Sequence, residues 1–213
     1  MSTDDDADVP YGEDFHDPAT AAAWAEGVLR KRPWRTTIFD HFVAVVNGAG
    51  PTTLRVLELG SGPGFLAEQL LSRCPHIARY TLLDFSEPML AQSRERLGDH
   101  APRTQFVQAS FKSDGWAARV SGPFDFIVSL QAVHELRHKR HAPRLYAELP
   151  ALLAAHGEFL VCDHLPEGAH TPRHRVLYMS VAENLAALAG AGLHRPELLW
   201  SEHNMALYRA SAS

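Results

Sequence analysis

The chain has 213 residues, 46% of them hydrophobic and 21% charged, which suits one globular domain with a sizeable core. Formal net charge is −5, but seven acids fall among residues 1–17, and the remaining 18 acids face 20 basic residues. A near-neutral body makes a phosphate backbone a poor partner, and no apolar run approaches the roughly 18 residues that cross a membrane. Two cysteines, Cys74 and Cys162, form no disulfide framework and no C-x-x-C site.

The first residues, MSTDDDADVP, are acidic where a signal peptide is basic and then apolar. A cytoplasmic location is the default expectation, and residues 1–10 read as a solvated, disordered tail. Residues 11–50 are helical in composition and rich in aromatics, among them Tyr11, Phe15, Trp24 and Trp34. They read as a helical lid on a domain that fills 51–213. LRVLEL (54–59) is a strand ended by Gly60, and FLAEQLLSR (65–73) a helix. RYTLLD (79–84) is the second strand, followed by a helix that Ser86 caps. TQFVQA (104–109), DFIVSL (125–130) and EFLVCD (158–163) are further strands. Helices are expected over 140–155 and 176–190. PELLWSE and NMALYRA lie back to back with no room for a crossover, so they form an antiparallel hairpin. The fold expected is α/β: a doubly wound, mostly parallel seven-stranded sheet with an antiparallel C-terminal hairpin and an N-terminal helical lid. The strands are apolar throughout, as when helices cover both faces.

HELRH (134–138) matches H-E-x-x-H, which on a helix holds zinc. Such a pair needs one continuous helix and a third ligand further on. Here His134 follows directly on a strand, Pro143 sets a helix start near Lys139, and the continuation is HKRHAPRL. No metal site is expected.

The first strand runs into VLELGSGPGF (56–65). Gly60, Gly62 and Gly64 allow a tight turn and close backbone approach to a ligand. The spacing departs from the dinucleotide pattern G-x-G-x-x-G, because Phe65 stands at the third glycine's place. Glu58 inside the motif repels a diphosphate and suits a ligand with an ammonium group. E-x-G-x-G-x-G at a strand end resembles the signature of class I S-adenosylmethionine-dependent methyltransferases, and the likeness extends over about 54–210. The resemblance implies S-adenosylmethionine as methyl donor and S-adenosylhomocysteine as product. It implies that Glu58, Gly60, Ser61, Gly62 and Gly64 meet the donor. Asp84 would take the two ribose hydroxyls, since a carboxylate accepts both protons. Phe85 and Met89 would flank the adenine, and Ser110 and Phe111 would border it. Ser110 stands where the family often has an Asp and accepts more weakly. Ser129 or Gln131, in the fourth strand and the loop after it, would also touch the donor.

His134 lies where the resemblance puts the methyl group. It is expected either as a general base or acceptor contact, since its pKa suits the task, or as a structural hydrogen-bonder. Tyr11, Trp24, Glu135, His164, Arg173 and Tyr178 are weaker candidates for contact with the acceptor. The function implied is methyl transfer to an O, N or C nucleophile of a small molecule. The alternatives are a protein or RNA methyltransferase and a non-catalytic donor-binding module. SLQA after the fourth strand is not the N/D-P-P-Y/F motif of amide or base nitrogen methylation. No DNA or membrane partner is expected.

Overall fold

The structure is a computed structural model that describes residues 7–50 and 53–213. Residues 1–6 of the expected tail lie outside this range. Two helices come first, α1 (Pro18–Lys31) and α2 (Arg35–Gly48). Asp17 caps α1 by accepting from the Thr20 amide, and Pro18 sits in the first turn, where a missing N–H costs nothing. The strands follow as β1 (Leu54–Leu59), β2 (Ile77–Asp84), β3 (Thr104–Gln108), β4 (Phe124–Leu130), β5 (Leu153–His164), β6 (His194–Glu202) and β7 (Met205–Ser211). Between them run α3 (Phe65–Arg73), α4 (Glu87–Arg96), α5 (Ala142–Ala147) and α6 (Val181–Gly190).

All seven strands join one sheet in the order β3-β2-β1-β4-β5-β7-β6. The first five are mutually parallel, while β7 is antiparallel to both β5 and β6. The expected sheet and hairpin are therefore present. One face packs on α2, α3 and α4 through Phe42, Leu70 and Leu90. The other packs on α5 and α6 through Tyr146, Leu149 and Leu188. Cys74 and Cys162 are buried apolar residues of the first of these layers. Among the described residues no helix is long and apolar enough to cross a membrane.

Two expected helices are shorter than their composition suggests. The span 140–155 holds α5 only as far as Ala147, and from Leu153 the chain is already β5. Pro150 has no N–H to continue the helix, and its ring disfavours helical geometry at Leu149. Strand pairing of Leu153 with Phe124 then overrides the helix propensity of the Leu/Ala run. The span 176–190 splits: Pro172–Leu177 forms a 3₁₀ turn, and α6 begins at Val181. A capping box fixes that start, with Ser180 and Glu183 each bonding the other's backbone amide.

The expected disordered tail also ends sooner than residue 10. Val9 is buried against Leu177 and Tyr178. Its amide donates to the Arg137 carbonyl at 2.8 Å. The Arg137 guanidinium donates back to the Val9 and Pro10 carbonyls at 2.9 and 2.6 Å. Asp8 sits among Lys112, Arg140 and His141 at 2.8–2.9 Å, and bonds to Lys112 and His141 hold its carboxyl well below the usual range. Further along, Ser86 donates to the Phe15 carbonyl at 2.5 Å. Residues 8–16 thus form a strap pinned at both ends. Apolar burial and the cations Lys112, Arg137 and Arg140, absent from any local sequence window, hold it down.

The first strand order change falls between β1 and β4, whose outgoing loops leave in opposite directions and open a crevice. Gly60, at φ +68°, is where those loops meet, and a Cβ there would lie 2.3 Å from Ala132 Cβ. Gly60→Ala combines that overlap with a left-handed backbone. It should cost about 2 kcal/mol or more, lowering Tm by roughly 4–8 °C in a thermal melt.

Candidate active site

A cavity of about 440 Å³ occupies the crevice at the carboxyl ends of β1, β2, β4 and β5, within the size range of small-molecule sites. The strap supplies Pro10, Tyr11, Glu13 and Phe15 to its wall, and α1 supplies Trp24.

The glycine loop forms the floor. Gly60 and Ser61 amides both donate to the Leu83 carbonyl, at 2.8 and 3.1 Å, which ties the loop to β2. Gly64 starts α3 in the left-handed region at φ +80°, and a Cβ there would stand 2.8 Å from Ser93 Oγ. Asp84 is buried at the end of β2, where Oδ2 accepts the Gly62 amide at 2.8 Å and Oδ1 the Ser86 amide at 2.9 Å. Burial raises its pKa to about 6 despite those bonds, so it is ionised at neutral pH. Each oxygen keeps a lone pair for a ligand hydroxyl.

Glu58 is 2% exposed and accepts from Tyr80 Oη at 2.8 Å. Burial pushes its pKa from 4.5 up to about 8. Arg35, on α2, reaches the same end of the cavity, although it is only 5% exposed. Its Nη1 bonds Gln131 Oε1, while its Nε has no partner. Burial lowers its pKa to about 10, which leaves it charged. Ser61 Oγ is likewise buried without a partner. Orphaned buried polar atoms cost free energy unless a ligand satisfies them. A carboxylate on Arg35 would meet that need, and an ammonium beside Glu58 would draw its carboxyl back toward the ionised form, so an amino-acid group fits here.

Beyond Gln131 lies a second polar group. The turn Val133–Leu136 carries His134, whose amide and Nδ1 bond Asp163 Oδ2 and Oδ1 at 2.9 and 2.7 Å. His134 Nε2 lies 3.3 Å from Glu135 Oε1. Burial alone would lower the His134 pKa, but the Asp163 and Glu135 carboxylates outweigh it and raise the value to about 10. Glu135 also accepts from Arg137 at 3.2 Å. His164 receives the Gln131 amide nitrogen at 2.9 Å, and burial lowers its pKa to about 4, which keeps it neutral. Tyr178 faces both imidazoles, with ring centroids 5.9 and 5.2 Å away. Ligand atoms of His134, Asp163 and His164 lie within 4.8 Å of one another. The Asp163 oxygens, His134 Nδ1 and His164 Nε2 are already committed to hydrogen bonds, an arrangement of an oriented histidine more than of a metal cage. HELRH is not one helix: Arg137 turns left-handed at φ +68°, and His138 starts a separate turn.

Most expected site residues meet here. Glu58, Gly60, Ser61, Gly62, Asp84, Phe85, Met89, Phe111 and His134 line the cavity, as do Tyr11, Trp24, Glu135, His164 and Tyr178. Gly64 stands behind the floor, where it starts α3. Ser110 borders an adjoining hollow that shares Phe85 and the strap. Ser129 does not line the cavity: it is fully buried and donates to the Leu59 carbonyl at 3.1 Å, stitching β4 to β1. Arg173 is exposed and also lies off the wall. Arg32, Arg35, Arg137 and Asp163 were not anticipated. A signal existed for two of them, since Arg35 lies on the apolar stripe of Ile38, Phe39 and Phe42, and Asp163 ends a buried strand.

Residues 56–157 match a family described as a methyltransferase domain. That stretch, just under half of the chain, is similar to methyltransferase domains, and the fold is that of methyltransferases of known structure. A trans-aconitate 2-methyltransferase of Variovorax paradoxus is 34% identical over 134 residues, 62% of this chain and 46% of that one. A ubiquinone biosynthesis O-methyltransferase of Aromatoleum aromaticum is 25% identical over 88% of this chain and 87% of its own. The chain spans less than half the length of the curated relatives that it matches at 33–37% identity. Its fold superposes on a SAM-dependent methyltransferase from Aquifex aeolicus with a TM-score of 0.69 at 18% identity, over 92% of this chain and 99% of the other. The methyl donor that the family implies is S-adenosylmethionine.

Because the folded protein holds the Glu58 proton more tightly than the unfolded chain does, this group's stabilisation is full below pH 4.5 and is lost as pH rises toward 8. Glu58→Gln removes the ionisation. Thermal melts across that range should show a decline for the wild type that is flatter in the variant.

Proposed function

We propose that the protein transfers a methyl group from S-adenosylmethionine to a nucleophile on a small molecule. The observation that carries this reading is the polar floor of one cavity. An ionised Asp84, the unpartnered Arg35 Nε and Glu58 are brought to the same wall. A ribose and an amino-acid group need partners of those kinds. When bound, S-adenosylmethionine supplies a methyl group on a positively charged sulfur, already a good electrophile.

The chain's own work is then mostly alignment, worth several kcal/mol when reacting atoms are held in line. Asp84 accepts the ribose hydroxyls, Phe85 and Met89 flank the base, and Ser110 and Phe111 border it. Arg35 takes the carboxylate, and Gln131 holds Arg35 in place. His134, backed by Asp163, contacts the acceptor, with Tyr11, Trp24, His164 and Tyr178 shaping its space. The strap crosses the cavity and limits the acceptor to a small molecule, which disfavours a protein or RNA substrate. The similarity to small-molecule methyltransferases acting on trans-aconitate and in ubiquinone synthesis supports the same class.

Calorimetry with S-adenosylhomocysteine tests the donor site directly. The wild type should bind it, and Arg35→Leu should bind it at least about tenfold more weakly, the scale of one lost charged hydrogen bond. A wild type that takes up none of this ligand would refute the proposal.

A further inference from the structure

The charges around the acceptor space are not balanced. Arg32, the residue that ends α1, lines the cavity, and among the described residues it makes no ion pair. Arg35, its near neighbour, bonds only the neutral Gln131. The acids nearby are already engaged. Asp163 accepts from His134 and from two backbone amides, and Glu135 faces Arg137 and His134. Glu13 is the exception, exposed on the strap at the rim. If Arg35 takes the donor's carboxylate, Arg32 is left in the wall with no anion.

The second observation concerns His134. Carboxylates only accept, and one faces each of its ring nitrogens, Asp163 at Nδ1 and Glu135 at Nε2. Both nitrogens therefore carry hydrogen, and the ring has no lone pair with which to take a proton. His164 is no substitute, because its Nε2 already accepts the Gln131 amide. An acceptor that must lose a proton, such as a phenol, finds no base in either of these imidazoles; His170 and His174 also line the wall, and among the described residues no side-chain group orients their rings. An amine enters as an ammonium ion, against Arg32, Arg35 and the His134 imidazolium.

We infer that the acceptor is a carboxylic acid, bound as its anion by Arg32 beside the His134 imidazolium, and that the product is its methyl ester. The inference rests on the methyl-transfer reading above. The balance is simple. A carboxylate oxygen forms the new O–CH₃ bond, the S–CH₃ bond breaks, and its electron pair stays on the now neutral sulfur. No proton moves, so no base is required. The ester has lost the charge that Arg32 held, which favours its release.

The test uses the full-length protein saturated with S-adenosylhomocysteine; failure of that first binding step would sink the methyl-transfer reading alone. Benzoate, succinate and citrate are then titrated by calorimetry, with phenol and benzylamine alongside. At least one anion should bind, and Arg32→Leu should weaken it about tenfold while S-adenosylhomocysteine binding is unchanged. In the wild type, ¹⁵N spectra at pH 7.5 should show hydrogen on both His134 nitrogens. Methyl label transferred from S-adenosylmethionine to a mixture of the three acids should be released as methanol by mild base. Binding of phenol or benzylamine in preference to every acid would overturn the inference. So would a free lone pair on His134, base-stable label, or an Arg32→Leu protein that binds the acid as the wild type does.

Discussion

The site depends on one close approach. The loops leaving β1 and β4 come together at Gly60 and Ala132 with no space for a Cβ on the glycine. Because these two strands are neighbours whose chains depart to opposite faces, the contact narrows the crevice between them without closing it. The glycine amides stay tied to β2 through the Leu83 carbonyl, and Asp84 reaches back to the Gly62 amide. One steric constraint thereby sets where the floor lies, which backbone groups face it, and how far Gln131 and His134 stand from Glu58.

Three carboxylates, Glu58, Asp84 and Asp163, lie buried at the ends of three strands, yet they hold different charges. Burial pushes all three toward neutrality. Glu58 has one phenol as donor and stays largely protonated near neutral pH. Asp84 has two backbone amides and ionises. Asp163 has an imidazole and two amides, and His134 takes its pKa below the usual carboxylate value. Local donors, not depth, decide the charge state, and the charge state decides what each can hold.

Features written in short windows were legible in the sequence. Glycine spacing, the acids Glu58 and Asp84, the Ser86 cap and the turn between β6 and β7 each involve residues close in the chain. What the sequence concealed needs distant partners. Leu, Ala and the spacing of 140–155 favour a helix, but pairing with β4 made its second half a strand. Ser129 reads as a loop-side polar residue, and its hydroxyl is spent on β1, 70 positions away. Arg137 has no assigned role inside HELRH, whereas it binds carbonyls 127 and 128 positions upstream. Arg35 and Asp163 left a local trace, on an apolar stripe and at the end of a buried strand, but their partners Gln131 and His134 lie far along the chain.

The strap changes how the cavity communicates with solvent. Its ends are pinned, by the Asp8 cluster and Arg137 on one side and by Ser86 on the other, while Tyr11 to Asp14 between them are exposed. Release of either end would widen the way into the cavity, so access to it is tied to ion pairs remote from its floor. Salt, which screens those half-exposed pairs, becomes a lever on exchange without touching the chemistry.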